Sequence, residues 1–186
     1  WRQDDAISQL VIASLNLYPA LSQTLHDTTG IDPELRICGM LICQNPDIES
    51  AKAWCKRHGI QHQPPSAEQL QPLQATLQDP LWLPEIAQIR NPRLLKSLLA
   101  FLRQRGVHFI EQAQIEHIEM KQRQIQYLRL GDDIFGAEQF VLCTGAWSHE
   151  FLARWFPGTS FSLPIQPVRG QMLVFDAEPD TLPHMI

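Results

Sequence analysis

Residues 139–152, QFVLCTGAWSHEFL, hold the densest set of groups able to touch a ligand. An apolar run stops at Thr144-Gly145 and an amphipathic pattern begins at once. Backbone amides at a helix start face outwards beyond the carboxyl end of a strand, where open α/β sheets collect their ligands. Gly145 lets a ligand or a second backbone come close, Thr144 offers a hydroxyl and Trp147 an aromatic wall. The same residues also suit a tight strand-to-helix turn with Trp147 in the core, so the motif alone leaves both open. His108, His117 and His149 are general bases by residue type only, since histidines in or beside strands are commonly structural. Cys55, His58 and His62 in CKRHGIQH have a metal-like spacing. Gly59 and Pro64-Pro65 break the helix that would align them and no fourth ligand completes the set, so no metal is expected.

The composition narrows the classes. With 186 residues, 44% of them hydrophobic, the chain can bury one sizeable core and a second small one. Fifteen basic against twenty acidic residues give a charge of -5 without a basic stripe, which argues against a nucleic-acid partner. No apolar stretch approaches the roughly 20 residues of a membrane span and no signal-peptide pattern opens the chain, so a cytoplasmic location is the default expectation. Cys38, Cys43, Cys55 and Cys143 form no CxxC pair and are expected to be reduced and mostly buried. The chain begins at Trp1 and stops at Ile186 after LPHM, which reads as an excised piece.

These groups need elements to hold them. Behind Asp4-Asp5, the spacing of Ile7, Leu10, Val11, Ser14, Leu15 and Tyr18 predicts a helix, with a kink at Pro19 and an end at Gly30. Residues 36–44, RICGMLICQ, read as a buried strand with a bulge at Gly39. DIESAKAWCKRHG predicts a short helix closed by Gly59, and Ser66 with Gln69 a capping box. Asn91 as cap and Pro92 at the first position open a helix with Leu94, Leu95, Leu98, Leu99 and Leu102 on one face. Strands are predicted at 107–110, 114–120, 124–130, 138–143 and about 171–175. A helix carries Trp147, Phe151, Leu152 and Trp155 on one face, with Ser148 as cap and Pro157-Gly158 as stop. The fold class is mixed α/β with α+β character.

Three stretches, NPRLLKSLLAFLRQRGVHFIEQAQIEHIE, FVLCTGAWSHEFL and IQPVRGQMLVF, stand in an order and spacing that resembles the middle of the FAD-dependent D-amino-acid oxidase superfamily, most of all its bacterial glycine oxidases of thiamine biosynthesis. The resemblance implies a partial FAD-binding domain of the GR2-type, Rossmann-like kind and part of an antiparallel-sheet substrate domain. Residues 1–88 would be a substrate-domain segment, 89–157 the middle of the FAD-binding domain and 158–186 a return into the substrate domain. By the same alignment Ile115 would meet the adenine through its backbone, Thr144, Gly145 and Trp147 would lie near the cofactor, and Arg169 and Gly170 would pass near the flavin ring. A surface or interdomain ion pair is the alternative for Arg169.

The implied chemistry is hydride transfer from the α-carbon of a small amino acid to FAD, hydrolysis of the resulting imine and peroxide formation, with no catalytic residue in this segment. The family's GxGxxG loop is not in the sequence, and its substrate-clamping arginine and tyrosine belong beyond Ile186. The segment by itself is therefore expected to be inactive. A D-amino-acid dehydrogenase passing electrons to a quinone, the flavin domain of a tRNA-modifying enzyme and a non-catalytic scaffold fragment remain open, as does a homo-oligomer.

Overall fold

The computed structural model describes residues 5–43, 47–73, 77, 79–122, 124–158, 164–174, 176–178 and 181–186. The chain divides into two compact units, residues 1–108 with 176–186, and residues 109–175.

The first unit packs helices on two short antiparallel ribbons. Helix α1, Asp5–Thr29, runs through Pro19 without ending there. Its inward side is Ser8, Ser22 and Leu25, all buried, whereas Ile7, Leu10 and Val11 of the predicted stripe are exposed. Asp4, the other predicted acidic residue, lies outside the described residues.

The predicted strand at 36–44 is split. Strand β1, Arg36–Ile37, and strand β2, Met40–Ile42, flank Gly39. They pair antiparallel with β4, Ala87–Gln88, and β3, Leu81–Leu83, respectively. The register steps from Arg36↔Gln88 to Met40↔Leu83, which places one extra residue in the 81–88 strand, opposite Gly39. Gly39 takes φ +72, and an added Cβ would fall within the Trp82 ring. The bulge is thus a place where an indole crosses bare backbone. Met185 adds to the free side of β2 as a parallel bridge, Leu41 N–H donating to Met185 O at 2.8 Å and Met185 N–H to Gly39 O at 3.1 Å.

Helix α2, Ile48–His58, ends as expected, with Gly59 at φ +69 and its N–H on the Cys55 and Lys56 carbonyls. Its Ala51 and Cys55 join Ile60, Leu81 and Leu83 as the fully buried core, flanked by Ile12 and Leu15 of α1. Trp54 Nε1 donates to Ser8 Oγ at 2.9 Å and fastens α2 to α1. The Ser66–Gln69 capping box forms with both bonds and opens helix α3, Ala67–Leu70.

Helix α4, Asn91–Gln104, starts one residue earlier than predicted. Arg90 is the cap and makes no side-chain cap bond, so Asn91 is already helical. Leu94 and Ser97 are buried, and Leu95 points to solvent rather than joining the leucine face. The start of α4 is held by the loop after α1. There Glu34, at φ +57, reaches Arg90 at 3.3 Å and Arg93 at 3.1 Å, and its N–H donates to Asp32 Oδ1 at 2.8 Å.

The second unit contains a meander of β5 His117–Lys121, β6 Gln124–Leu130 and β7 Asp133–Phe135. Gly131-Asp132 is the two-residue turn between β6 and β7. The unit ends with helix α5, Ser148–Trp155, which stops before Pro157-Gly158 as predicted. Strands predicted at 107–110, 138–143 and 171–174 are not formed; Phe175 lies outside the described residues. A strand needs a ladder for its N–H and C=O groups, and among the described residues these runs belong to no sheet. Their apolar side chains stay in solvent, Val141 at 84% and Met172 at 87% exposure.

Candidate functional site

The bend at 144–148 does turn chain into helix, through a different local geometry from the one predicted. Gly145–Trp147 form a 3-10 turn ahead of α5, with Trp147 N–H on Thr144 O at 3.2 Å. Gly145 has φ +56, favoured by glycine, and no atom lies within 4 Å of where its Cβ would be. Ser148 is inside the helix and not its cap. Its hydroxyl donates to Gly145 O at 2.7 Å, which leaves Thr144 Oγ1 as donor to Ser148 Oγ at 2.9 Å. The Thr144 hydroxyl hydrogen thereby stiffens the bend, while its oxygen keeps acceptor capacity. Trp147 is 63% exposed and does not share the half-buried face of Phe151, Leu152 and Trp155.

The other expected ligand-facing residues lie in the same unit. Ile115 is half-buried just before β5, and within the described residues its backbone amide and carbonyl make no hydrogen bond. Arg169 and Gly170 lie in the exposed run 164–174. Arg169 forms no ion pair among the described residues. No hydrogen bond joins these stretches to one another among the described residues.

Of the histidines, His117 pairs with Glu119 at 3.0 Å on β5, its ring 6.2 Å from that of Tyr127. His108 and His149 are exposed. The Cys55–His58–His62 grouping is not a ligand set: Cys55 is in the core, where burial pushes its thiol pKa up, and the His58 ring packs on Trp54 at 4.8 Å. The four cysteines are all free, with Cys143 exposed rather than buried.

Sequence reasoning missed a cavity of about 680 Å³ in the first unit, walled by Ile12, Leu15, Tyr18, Ile37, Ile60 and Ile86. His58 also lines it, and its Nε2 is buried with no hydrogen-bond partner. A signal was present in the sequence: residues 6–25 contain no charged side chain.

A profile of the FAD dependent oxidoreductase (DAO) family matches residues 1–185. The chain belongs to the DAO family. Glycine oxidase from Pseudomonas putida is 31% identical over 194 residues, taking in 100% of this chain and 51% of the relative. The glycine oxidase of Pseudomonas aeruginosa is 31% identical over 200 residues with the same coverage. The bifunctional protein ThiO/ThiG of Trichormus variabilis is 29% identical over 98% of this chain and 27% of its own length. Among solved structures, glycine oxidase from Geobacillus kaustophilus superposes with a TM-score of 0.70 at 23% identity, over 83% of this chain and 44% of that one. L-proline dehydrogenase from P. horikoshii gives 0.62 at 13%, over 76% and 39%. These two structures establish the DAO fold, with its antiparallel sheets, for this chain. This DAO chain spans about half the length of the glycine oxidases it matches.

FAD is the cofactor of the DAO family. The residues present are compatible with one wall of a site for it. The side of Gly145 that a Cβ would occupy is open, and Trp147, two residues on, is exposed.

Proposed function

We propose that this segment is the central part of a DAO flavoenzyme that oxidises a small amino acid, glycine or sarcosine or a D-amino acid, with peroxide as the second product. The observation that carries the reading is the match of the whole chain to two glycine oxidases at 31% identity. Bound FAD would supply the two-electron acceptor for the amino-acid C–N oxidation. The chain's own part is to bind and orient. Ile115 has backbone groups left for an adenine edge, Gly145 admits close approach, and Trp147 offers a ring face. Arg169 and Gly170 remain assigned to the flavin-ring side on the family alignment. Residues 89–157 as cofactor domain with substrate-domain segments on either side, and a cytoplasmic setting, belong to the same proposal.

The natural longer protein, purified, should carry a yellow flavin that glycine or sarcosine bleaches without oxygen. A colourless protein that cannot be reconstituted with FAD would refute the reading. Bleaching without peroxide once air is admitted would replace the oxidase by a dehydrogenase. These 186 residues alone are proposed to be inactive, and saturable FAD binding with turnover by them would overturn that part.

A further inference from the structure

Helix α1 is apolar on two sides, and only one of them is covered. Ser8, Ile12, Leu15, Ser22 and Leu25 face the unit's interior or its rim. About a third of a turn away, residues 7, 10, 14, 17 and 21 repeat at spacings of three and four, the seam of a helix that packs on something else. On that seam Leu10 is 68% exposed and Leu17 61%, with Val11 exposed beside them. The polar residues nearby do not call for water: Ser14 Oγ donates to Leu10 O and Thr24 Oγ1 to Ala20 O, each at 2.8 Å. Between Asp5 and His26 there is no charge. Ordinary helix surfaces are rich in charge, while the buried centres of permanent contacts are depleted of it.

The seam runs into the cavity beside it, which Leu10 and Val11 line together with the exposed Ile37. His58 is among the residues that line that cavity.

We propose that the outer face of α1 and this cavity together receive the part of the polypeptide that the glycine oxidases have in addition to the stretch matched here. The proposal rests on the reading of the chain as half of a longer flavoenzyme. Relatives about twice as long provide enough further chain to cover the face. A membrane surface is disfavoured by the lack of any basic residue on this face to meet anionic headgroups. A second copy of the chain is the competing occupant that the test must separate.

The test uses the natural longer protein bearing Leu17→Cys, alkylated with a maleimide and mapped by peptide mass, with the same protein in denaturant as reference. Covered by its own chain, the thiol introduced at this position should react at least about 100-fold more slowly than in the denatured reference. The protection should be the same at every protein concentration. Reaction within about threefold of the reference, or protection that is lost on dilution as a dimer dissociates, overturns the proposal. Should the variant fail to fold, hydroxyl-radical footprinting of Leu10 and Leu17 in the unmodified protein gives the same reading. Flavin content of the same sample separates the two ideas. A yellow protein with an open face sinks this one alone, and a colourless protein with a protected face sinks the proposed function alone.

Discussion

Gly39 combines two constraints that only glycine meets together: a left-handed φ of +72 and an indole lying where a Cβ would stand. Gly39→Ala should lower stability by about 3 kcal/mol, the sum of backbone strain and overpacking, visible as a large drop in the urea midpoint. Gly145→Ala is the contrast, because φ is +56 but the space is open. It should cost only about 1 kcal/mol in stability. If the proposed cofactor wall is right, it should weaken FAD retention in the longer protein beyond what that small loss explains. Cys55 gives a pH signature. Burial raises its thiol pKa, so the folded state holds that proton longer than the unfolded chain. Its share of stability is complete below the unfolded thiol value of about 8.5 and is lost as pH rises towards the higher folded value. Denaturation midpoints should fall with pH above that point, and Cys55→Ala should flatten this part of the slope.

At the scale of elements, a part-buried hydrogen bond from Trp54 Nε1 to Ser8 Oγ joins α2 to α1. Ser8→Ala strands the indole N–H and should cost about 1–2 kcal/mol by thermal unfolding. Elements whose cause is local were legible in the sequence. The α2 stop at Gly59 and the Ser66–Gln69 box depend on residues within a few positions of one another. Elements whose cause lies elsewhere were not. VHFI and FVLC carry strand composition, yet a strand exists only where a neighbouring strand answers it, and among the described residues neither run joins a sheet. The α1 stripe misled for a related reason: a helix with two apolar sides offers no internal clue to which one this chain covers. At the candidate site the glycine bend was legible and the role of Ser148 was not, since Ser148 closes the turn from within the helix.

For the whole molecule, the accessible surface is 14743 Å². Even two separate compact bodies of this total mass would expose only roughly 11,000 Å² by the usual scaling. Among the described residues, Val141, Val168, Met172, Leu173 and Val174 are exposed by 80% or more, in runs that belong to no sheet. Produced alone, the 186 residues should bind a hydrophobic dye strongly and melt over a broad range. The longer protein should bind little dye and melt sharply, and equal dye binding by the two would contradict the half-enzyme reading.

The bridge between Met185 and β2 sets an order of events during synthesis. The edge that Gly39 and Leu41 present is finished only by residues that follow the whole second unit in the chain. Meanwhile the stretch from Phe109 to Phe175 has already left the ribosome and can close its own local hairpins. The unit begun first is thus completed after the one inserted into it, so stalled translation short of Met185 would release a chain with a formed meander and an open β2 edge.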